Sequence, residues 1–454
     1  MTRIEAVMQR IRAGIMAGTW PPGDKVWSIR AAARELQVSK NTVAEAYDRL
    51  VAMGQLEART GSGYYVPRRS RHEQLPKAIS VAQAVDAATL LREQLIRHYD
   101  VRVGEGRPPH GWVGNPDFRP VRFPSGPAQA DEVHGYGNPW GFHKLRDHLA
   151  QTLADRQISA ASEQILTTLG ANHALDLIAR QLLEPGDTVL VDSPGYYPLF
   201  AKLHLGGIQI VGVRRLANGP DVDDLNAKAA RHRPKIFFTQ SQAHNPTGSS
   251  LSLPVGHRIL LAAARHDFLI VEDDPFADIL APDAPRLASL DQLERVVYVG
   301  TFSKTLSAGL RVGYLAASPA LAEALCDLKM LTIACSGDLA ERMLHEFIAS
   351  GQYLKHLRRL RTRVAQTTHQ AMEIASRLGL EIFCEPEGCF YLWAFLPPGD
   401  TEERLVHEAA QRDIFIAPGY LFTPERRSTR AAMRLNIAYV AHPKFSQFMR
   451  QRHA

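Results

Sequence analysis

Cysteine is scarce in this chain and follows no pattern. The four present, Cys326, Cys335, Cys384 and Cys389, show neither Cys-x-x-Cys spacing nor an accompanying histidine pattern, which argues against a zinc site and for a reducing compartment. No basic-apolar-small leader begins at Met1 and no apolar run reaches spanning length, so a cytoplasmic protein with no membrane partner is expected. Nor is the chain short of hydrophobic residues in the manner of disordered sequences: 45% are hydrophobic and 22% charged. Its 454 residues exceed one ordinary core and predict two or three domains.

What is present is unevenly distributed. Residues 1–72 carry 12 Lys/Arg against 6 Asp/Glu, and the remainder carries 41 of each sign, so the whole net charge of +6 lies in the first sixth. A basic module on a balanced body points to a polyanionic partner at that end. Apolar residues at Ile4, Val7, Met8, Ile11 and Ile15 form a helical stripe that stops at Gly18 and the Pro21-Pro22-Gly23 turn. Ser28 is placed to cap a helix over Ile29–Leu36. Ser39 is placed to cap another whose buried face is Val43, Tyr47, Leu50 and Val51, ending at Gly54.

This is a helix-turn-helix pattern, with Lys40, Asn41 and Thr42 left at the exposed start of its last helix, where base edges and phosphates are read. Leu56–Val66 reads as a two-stranded wing with a glycine-rich tip, on which Arg59 reaches the minor groove or backbone. Over Ile4–Val66 the module resembles the winged helix of the GntR family of bacterial regulators, through its Pro-Pro-Gly-Asp turn, Ser-Lys-Asn-Thr-Val helix start and Gly-Ser-Gly-Tyr wing. The residues expected at double-stranded DNA are Ser28, Arg30, Ser39, Lys40, Asn41 and Thr42, with Tyr47, Arg49, Arg59 and Ser62 from the same elements. Trp27 departs from that family's usual proline and bears on where the second helix starts.

Residues 67–80 lack periodicity and read as a linker, with a domain boundary near Arg71. A helical pattern at Val81, Val85, Leu91, Leu95 and Ile96 follows, giving a winged helix over 1–67, a linker over 68–104 and a large body over 105–454. From Gly135 helical patterns alternate with short apolar runs at Val189–Asp192, Ile208–Val213, Ile236–Thr239, Phe268–Glu272 and Val296–Val299. That is the pattern of a largely parallel α/β sheet covered by helices. Ligands collect at the carboxyl ends of such strands. There stand His244-Asn245-Pro246-Thr247-Gly248, then Glu272-Asp273-Asp274, then Thr301-Phe302-Ser303-Lys304 with Arg311 beyond.

Lys304 beside hydroxyls and an arginine suits a phosphorylated aldehyde, pyridoxal 5'-phosphate, held as a Schiff base. Asp273 would keep the ring nitrogen protonated, Asn245 would donate to the ring oxygen, and Tyr196 would stack on the ring. Gly170, Ala171 and Asn172 open a helix whose free amides, with Thr301, Ser303 and Arg311, would hold the phosphate. Singly these features are commonplace: Asn-Pro-Thr-Gly is often a turn, and an aspartate after a strand is often a cap. Their order and intervals make the body resemble the fold type I aminotransferases from about Gly114 onward.

That resemblance implies a cofactor subdomain over about 135–325 and a smaller one over about 330–454. Tyr136, in Tyr-Gly-Asn-Pro-Trp-Gly, is implied to complete the phosphate site of a neighbouring subunit in a homodimer. Arg434, in Met-Arg-Leu-Asn-Ile, is implied to grip a ligand carboxylate. At Phe276, or Pro275 in the alternative register, the family's tyrosine hydroxyl is missing, which is expected to raise the pKa of the lysine–cofactor imine.

The full chain resembles the MocR group of pyridoxal-phosphate-dependent regulators. A regulator that senses pyridoxal phosphate or an amino compound through imine exchange at Lys304 is therefore expected. A working aminotransferase with a tethered DNA-binding module is the alternative, and a DNA-binding scaffold that has lost its cofactor is the third reading.

Overall fold

Ser28 and Ser39 each start a helix as their positions predict. Ser28 Oγ accepts from Ala31 N at 3.2 Å and Ser39 Oγ from Thr42 N at 3.1 Å, caps worth about 1 kcal/mol each. The computed structural model describes residues 3–16, 19–59, 61–67, 98–113, 135–427 and 430–453. It divides into two units, Met1–Lys77 and Ala78–Ala454. The linker at 67–80 and the helical pattern from Val81 lie almost wholly outside the described residues.

In the first unit, helices α1 (Arg3–Met16), α2 (Ile29–Glu35) and α3 (Lys40–Ala52) precede a hairpin of β1 (Glu57–Arg59) and β2 (Gly63–Tyr65). Val7 and Ile11 of α1 pack with Val43, Ala46, Tyr47 and Leu50 of α3 in one core. Gln37 takes the left-handed conformation, φ 52°, that turns α2 into α3. Trp27 does not displace α2. Its ring meets Trp20 edge-on with centroids 4.9 Å apart, and its carbonyl accepts from Tyr47 Oη at 2.9 Å.

The second unit is built on an eight-stranded sheet: β3 (Ile165–Thr168), β4 (Thr188–Ser193), β5 (Gln209–Leu216), β6 (Gly219–Pro220), β7 (Ile236–Thr239), β8 (Leu269–Asp274), β9 (Val296–Thr301) and β10 (Gly313–Ala316). Their order is β3-β10-β9-β8-β7-β4-β5-β6. β5, β4, β7, β8 and β9 run parallel, whereas β10 is antiparallel to both β9 and β3. Side chains alternate between two faces. Leu190, Phe237 and Ile270 enter one core, and Val189, Ile236, Phe238 and Val271 enter the other.

Helices α4 (His143–Asp155), α5 (Ala171–Leu182), α6 (Tyr197–Leu205), α7 (Val222–His232) and α8 (Leu253–His266) link and cover the strands, followed by α9 (Pro319–Ile333) and α10 (Asp338–Ala349). The 26-residue α11 (Gln352–Arg377) joins two cores: Tyr353 and Leu357 pack under the large sheet, Leu360, Val364 and Ala371 in a third cluster. That cluster lies against a four-stranded antiparallel sheet, ordered β11 (Glu381–Ile382), β12 (Tyr391–Phe395), β14 (Ala432–Asn436), β13 (Ala417–Pro418).

Candidate cofactor, ligand and DNA sites

The carboxyl ends of β7, β8 and β9 open on a cleft of about 540 Å³ whose lining includes Asn245, Asp273, Lys304, Arg311 and Arg434. Lys304 follows β9 in a turn closed by Leu306 N donating to Phe302 O at 2.9 Å. Its Nζ donates to Gly106 O at 2.5 Å. Burial first, then the charge of Arg434, brings its pKa down to about 8, so a minority of the amine, far more than in an ordinary lysine, is neutral and nucleophilic near physiological pH.

Asp273 Oδ2 accepts from Gln240 Nε2 at 2.6 Å, whereas Oδ1 is buried with no partner among the described residues. Burial raises this carboxyl to about pKa 6. A cation beside Oδ1 would supply the missing donor and restore the charge. Gln240 Oε1 also accepts from Asn245 N at 2.8 Å, so one amide positions both groups. Arg434 is 1% exposed; its Nη1 donates to Asn245 Oδ1 and its Nη2 to Gly104 O, both at 2.8 Å, while Nε is buried without a partner. No carboxylate pairs with this guanidinium in the hydrogen bonds and ion pairs of the described residues.

At the other end of the cleft Gly170, φ +77°, turns the chain into α5, and the first-turn amides of Ala171 and Asn172 have no intrahelical acceptor. A Cβ at Gly170 would stand 2.8 Å from Arg311 Nη2, so glycine is required for the guanidinium to lie there. Arg311 is exposed and its Nη2 donates to Leu169 O at 2.8 Å. Thr301 Oγ1 lies 3.1 Å from Ser303 Oγ, and Tyr196 Oη reaches Asn172 Oδ1 at 3.4 Å. Backbone donors, two hydroxyls and an arginine thus form an anion cradle.

Between the two registers considered for the missing hydroxyl, Pro275 lines the cleft and Phe276 is buried against Phe390 and Tyr391. Tyr136 lies away from this cleft's lining and is 91% exposed. Sequence reasoning missed Gln240, Gly106, Arg107 and Tyr391, which also line the cleft. Gln240 directly follows β7, so the strand-end rule that found Asn245 could have found it; the other three arrive from distant segments with no local signal.

On the first unit Ser28, Arg30, Ser39, Lys40, Asn41, Arg49, Arg59 and Ser62 are exposed, and Thr42 is half-buried with its hydroxyl 2.8 Å from Ser39 Oγ. Arg49 pairs with Glu45 at 2.5 Å, and Ser62 Oγ bonds Tyr65 Oη at 2.6 Å. Arg59 stacks 4.3 Å over the Tyr65 ring centroid. Tyr47 is the exception. It is 0% exposed, its ring meets Tyr64 and its hydroxyl is bound to Trp27 O, so it is a core residue and does not reach DNA.

A winged helix and a fold type I aminotransferase-like body, with a lysine, an aspartate and an anion cradle in one cleft, define the class. The chain belongs to the family of class I and II aminotransferases, whose model matches residues 80–448; that of bacterial regulatory proteins of the gntR family matches residues 3–66. Among curated proteins it is 27% identical over 452 residues to the uncharacterized HTH-type transcriptional regulator YisV of Bacillus subtilis, covering 96% of this chain and 92% of that one. It is 29% identical over 375 residues to the probable rhizopine catabolism regulatory protein MocR of Rhizobium meliloti, covering 79% and 74%. Among solved structures, the multiple substrate aminotransferase of Thermococcus profundus superposes with a TM-score of 0.69 at 26% identity, over 83% of this chain and 94% of that one.

The aminotransferase family depends on pyridoxal phosphate, and the residues here fit it. Asp273 Oδ1, without a partner among the described residues, could accept from a protonated ring nitrogen, and the groups around Gly170 and Arg311 could hold a phosphate. No helix among the described residues is long and apolar enough to cross a membrane.

Proposed function

We propose that this protein is a transcriptional regulator that binds promoter DNA through α3 and its wing and is controlled by what occupies the Lys304 cleft. The observation that carries this reading is the alignment with a transcriptional regulator along 96% of the chain, spanning both the DNA-binding module and the cleft. When bound, pyridoxal phosphate supplies an aldehyde that bonds to amines and a ring that withdraws electrons. Lys304 supplies the neutral amine that holds it. Asp273 keeps a proton on the ring nitrogen, Asn245 donates to the ring oxygen from Nδ2, and Tyr196 covers a ring face. Thr301, Ser303, Arg311 and the first turn of α5 hold the phosphate. Arg434 orients an incoming amino compound by its carboxylate, leaving its amine to compete with Lys304.

Tyr136 supports a homodimer in which each protomer lends this residue to its partner's phosphate site. Its 91% exposure and the 87% exposure of Leu331 leave apolar surface to be covered. Gly137 packs against Cys335 and Asp338, and Lys329 Nζ donates to Pro139 O at 2.6 Å, so the Tyr136 segment rests on α9 and α10. The test is DNA binding by the full chain with and without pyridoxal phosphate and a panel of amino acids. A change in affinity or footprint supports the reading, and indifference to all of them refutes it.

One observation favours an aminotransferase instead: every group needed to exchange an amine at Lys304 lines a single cleft. Multiple-turnover product from an amino acid and a keto acid would support that reading. A single exchange without turnover would support the regulator.

A further inference from the structure

Two donors of the cleft are already engaged by one short piece of backbone. Lys304 Nζ donates to Gly106 O at 2.5 Å and Arg434 Nη2 to Gly104 O at 2.8 Å. The remaining carbonyls around them are held as well. Asn436 N donates to Val103 O at 2.6 Å, Asn436 Nδ2 to Glu105 O at 2.9 Å and to Arg107 O at 2.8 Å, and Tyr391 Oη to Gly106 O at 2.9 Å. Glycine makes the fit possible. A Cβ on Gly104 would stand 2.3 Å from Ala417 N, and one on Gly106 would stand 3.1 Å from Arg434 Nη2. The buried Glu105 pairs with Arg102 at 2.9 Å and Arg107 at 3.0 Å, fixing the segment from both sides.

We propose that Gly104–Arg107 is a latch over Lys304, held by the positioning residue Asn436, and that attachment at Lys304 requires it to withdraw. When an amine condenses with an aldehyde, its two hydrogens leave with the carbonyl oxygen as water, and the nitrogen keeps at most one added proton. Lys304 therefore has at most one hydrogen left for Gly106 O, and Nζ, which stands 2.5 Å from that oxygen, must also make room for the aldehyde carbon. Arg434 keeps Nε–H and a second hydrogen on each terminal nitrogen beyond those given to Asn245 and Gly104, so its bond to Gly104 O anchors the latch without closing the guanidinium to a carboxylate. Both bonds fall on the same four residues. Just before them, Val101 N donates to Asp413 O at 3.2 Å, Phe415 N to Val101 O at 2.8 Å and Gly104 N to Phe415 O at 2.8 Å. In the chain this stretch follows the connection from the DNA-binding module. The inference rests on the reading of Lys304 as the attachment point.

The test is reductive methylation of lysines with formaldehyde and borohydride on the full chain freed of pyridoxal phosphate, read peptide by peptide by mass spectrometry. Lys329 is the internal control: it is buried, with Nζ bound to Pro139 O at 2.6 Å and Thr167 O at 2.8 Å, and among the described residues it makes no bond to the latch, whereas Lys304 is half-buried. Asn436→Ser removes two latch bonds while keeping an oxygen to cap Ala438 N. Tyr391→Phe removes one and leaves Asn436 intact. Lys304 labelling should rise about tenfold in Asn436→Ser and severalfold in Tyr391→Phe, with Lys329 unchanged. Lys304 labelling that stays at the wild-type level in both variants, or that changes in both only together with Lys329, overturns the latch. A parallel arm uses pyridoxal phosphate with borohydride. Latch-dependent methylation with no pyridoxyl group ever trapped on Lys304 leaves the latch standing and sinks the cofactor reading. Trapping at equal rates in all three proteins overturns the latch alone.

Discussion

Arg434 Nη1 donates to Asn245 Oδ1 across 2.8 Å, tying β14 to the loop after β7. The bond orients the amide, because an oxygen facing the guanidinium leaves Nδ2 as the donor for a ring oxygen. It also separates two roles. In the proposed function Asn245 serves the cofactor and Arg434 the carboxylate of whatever amine arrives.

Arg434→Lys should therefore leave pyridoxal phosphate attachment intact and weaken amino-acid binding roughly 10- to 100-fold, the loss of one or two charged hydrogen bonds. Spectral titration of the cofactor-loaded protein with amino acids reads both effects at once. Equal loss of cofactor and ligand would mean that Arg434 only supports the fold.

Asp273 should destabilise the cofactor-free protein. Its folded pKa is raised by burial from 3.8 to about 6, so the folded state holds that proton more tightly. The stabilising contribution is full below about pH 3.8 and is lost as pH rises through about 6, at a cost of about 3 kcal/mol by pH 7. Asp273→Asn should raise the denaturant midpoint at pH 7, flatten that pH dependence and weaken cofactor retention. A lowered midpoint at pH 7 would contradict this account.

The position that lines the cleft after Asp273 and Asp274 is Pro275, which has no hydroxyl to donate to the ring oxygen. With one donor fewer, the lysine–cofactor link should stay protonated near neutral pH. A titration of the visible absorbance checks this, and a link already deprotonated at neutral pH would be the wrong outcome.

At the DNA, Arg59→Ala should lower affinity for all sequences alike and reduce the salt dependence, whereas Asn41→Ala should relax preference at one base pair. Tyr47→Phe should cost about 1 kcal/mol of stability, the bond to Trp27 O, and leave base preference unchanged. Altered preference in Tyr47→Phe would reverse the assignment of Tyr47 to the core.

The sequence made legible what is local. Capping serines marked α2 and α3, continuous apolar runs marked the parallel strands, and the residues just after those runs gave Asn245, Asp273 and Lys304. Tyr47 shows how a residue type misleads: the stripe of Val43, Tyr47 and Leu50 already placed it inside, and only its hydroxyl suggested DNA. The antiparallel β10 and its partner β3 escaped notice because a four-residue strand carries no mark of direction. Gly104, Gly106, Tyr391 and Asn436 were illegible for another reason. They reach the cleft only through tertiary packing, the Gly106–Lys304 contact spanning 198 residues of chain.

The central claim is that Lys304 links ligand to DNA. The most direct measurement is promoter-DNA affinity of wild type and Lys304→Ala, each with and without pyridoxal phosphate and an amino acid that shifts the wild type's spectrum. The account predicts that only the wild-type affinity or footprint responds. A Lys304→Ala protein that responds to the same ligands as fully as the wild type would contradict it.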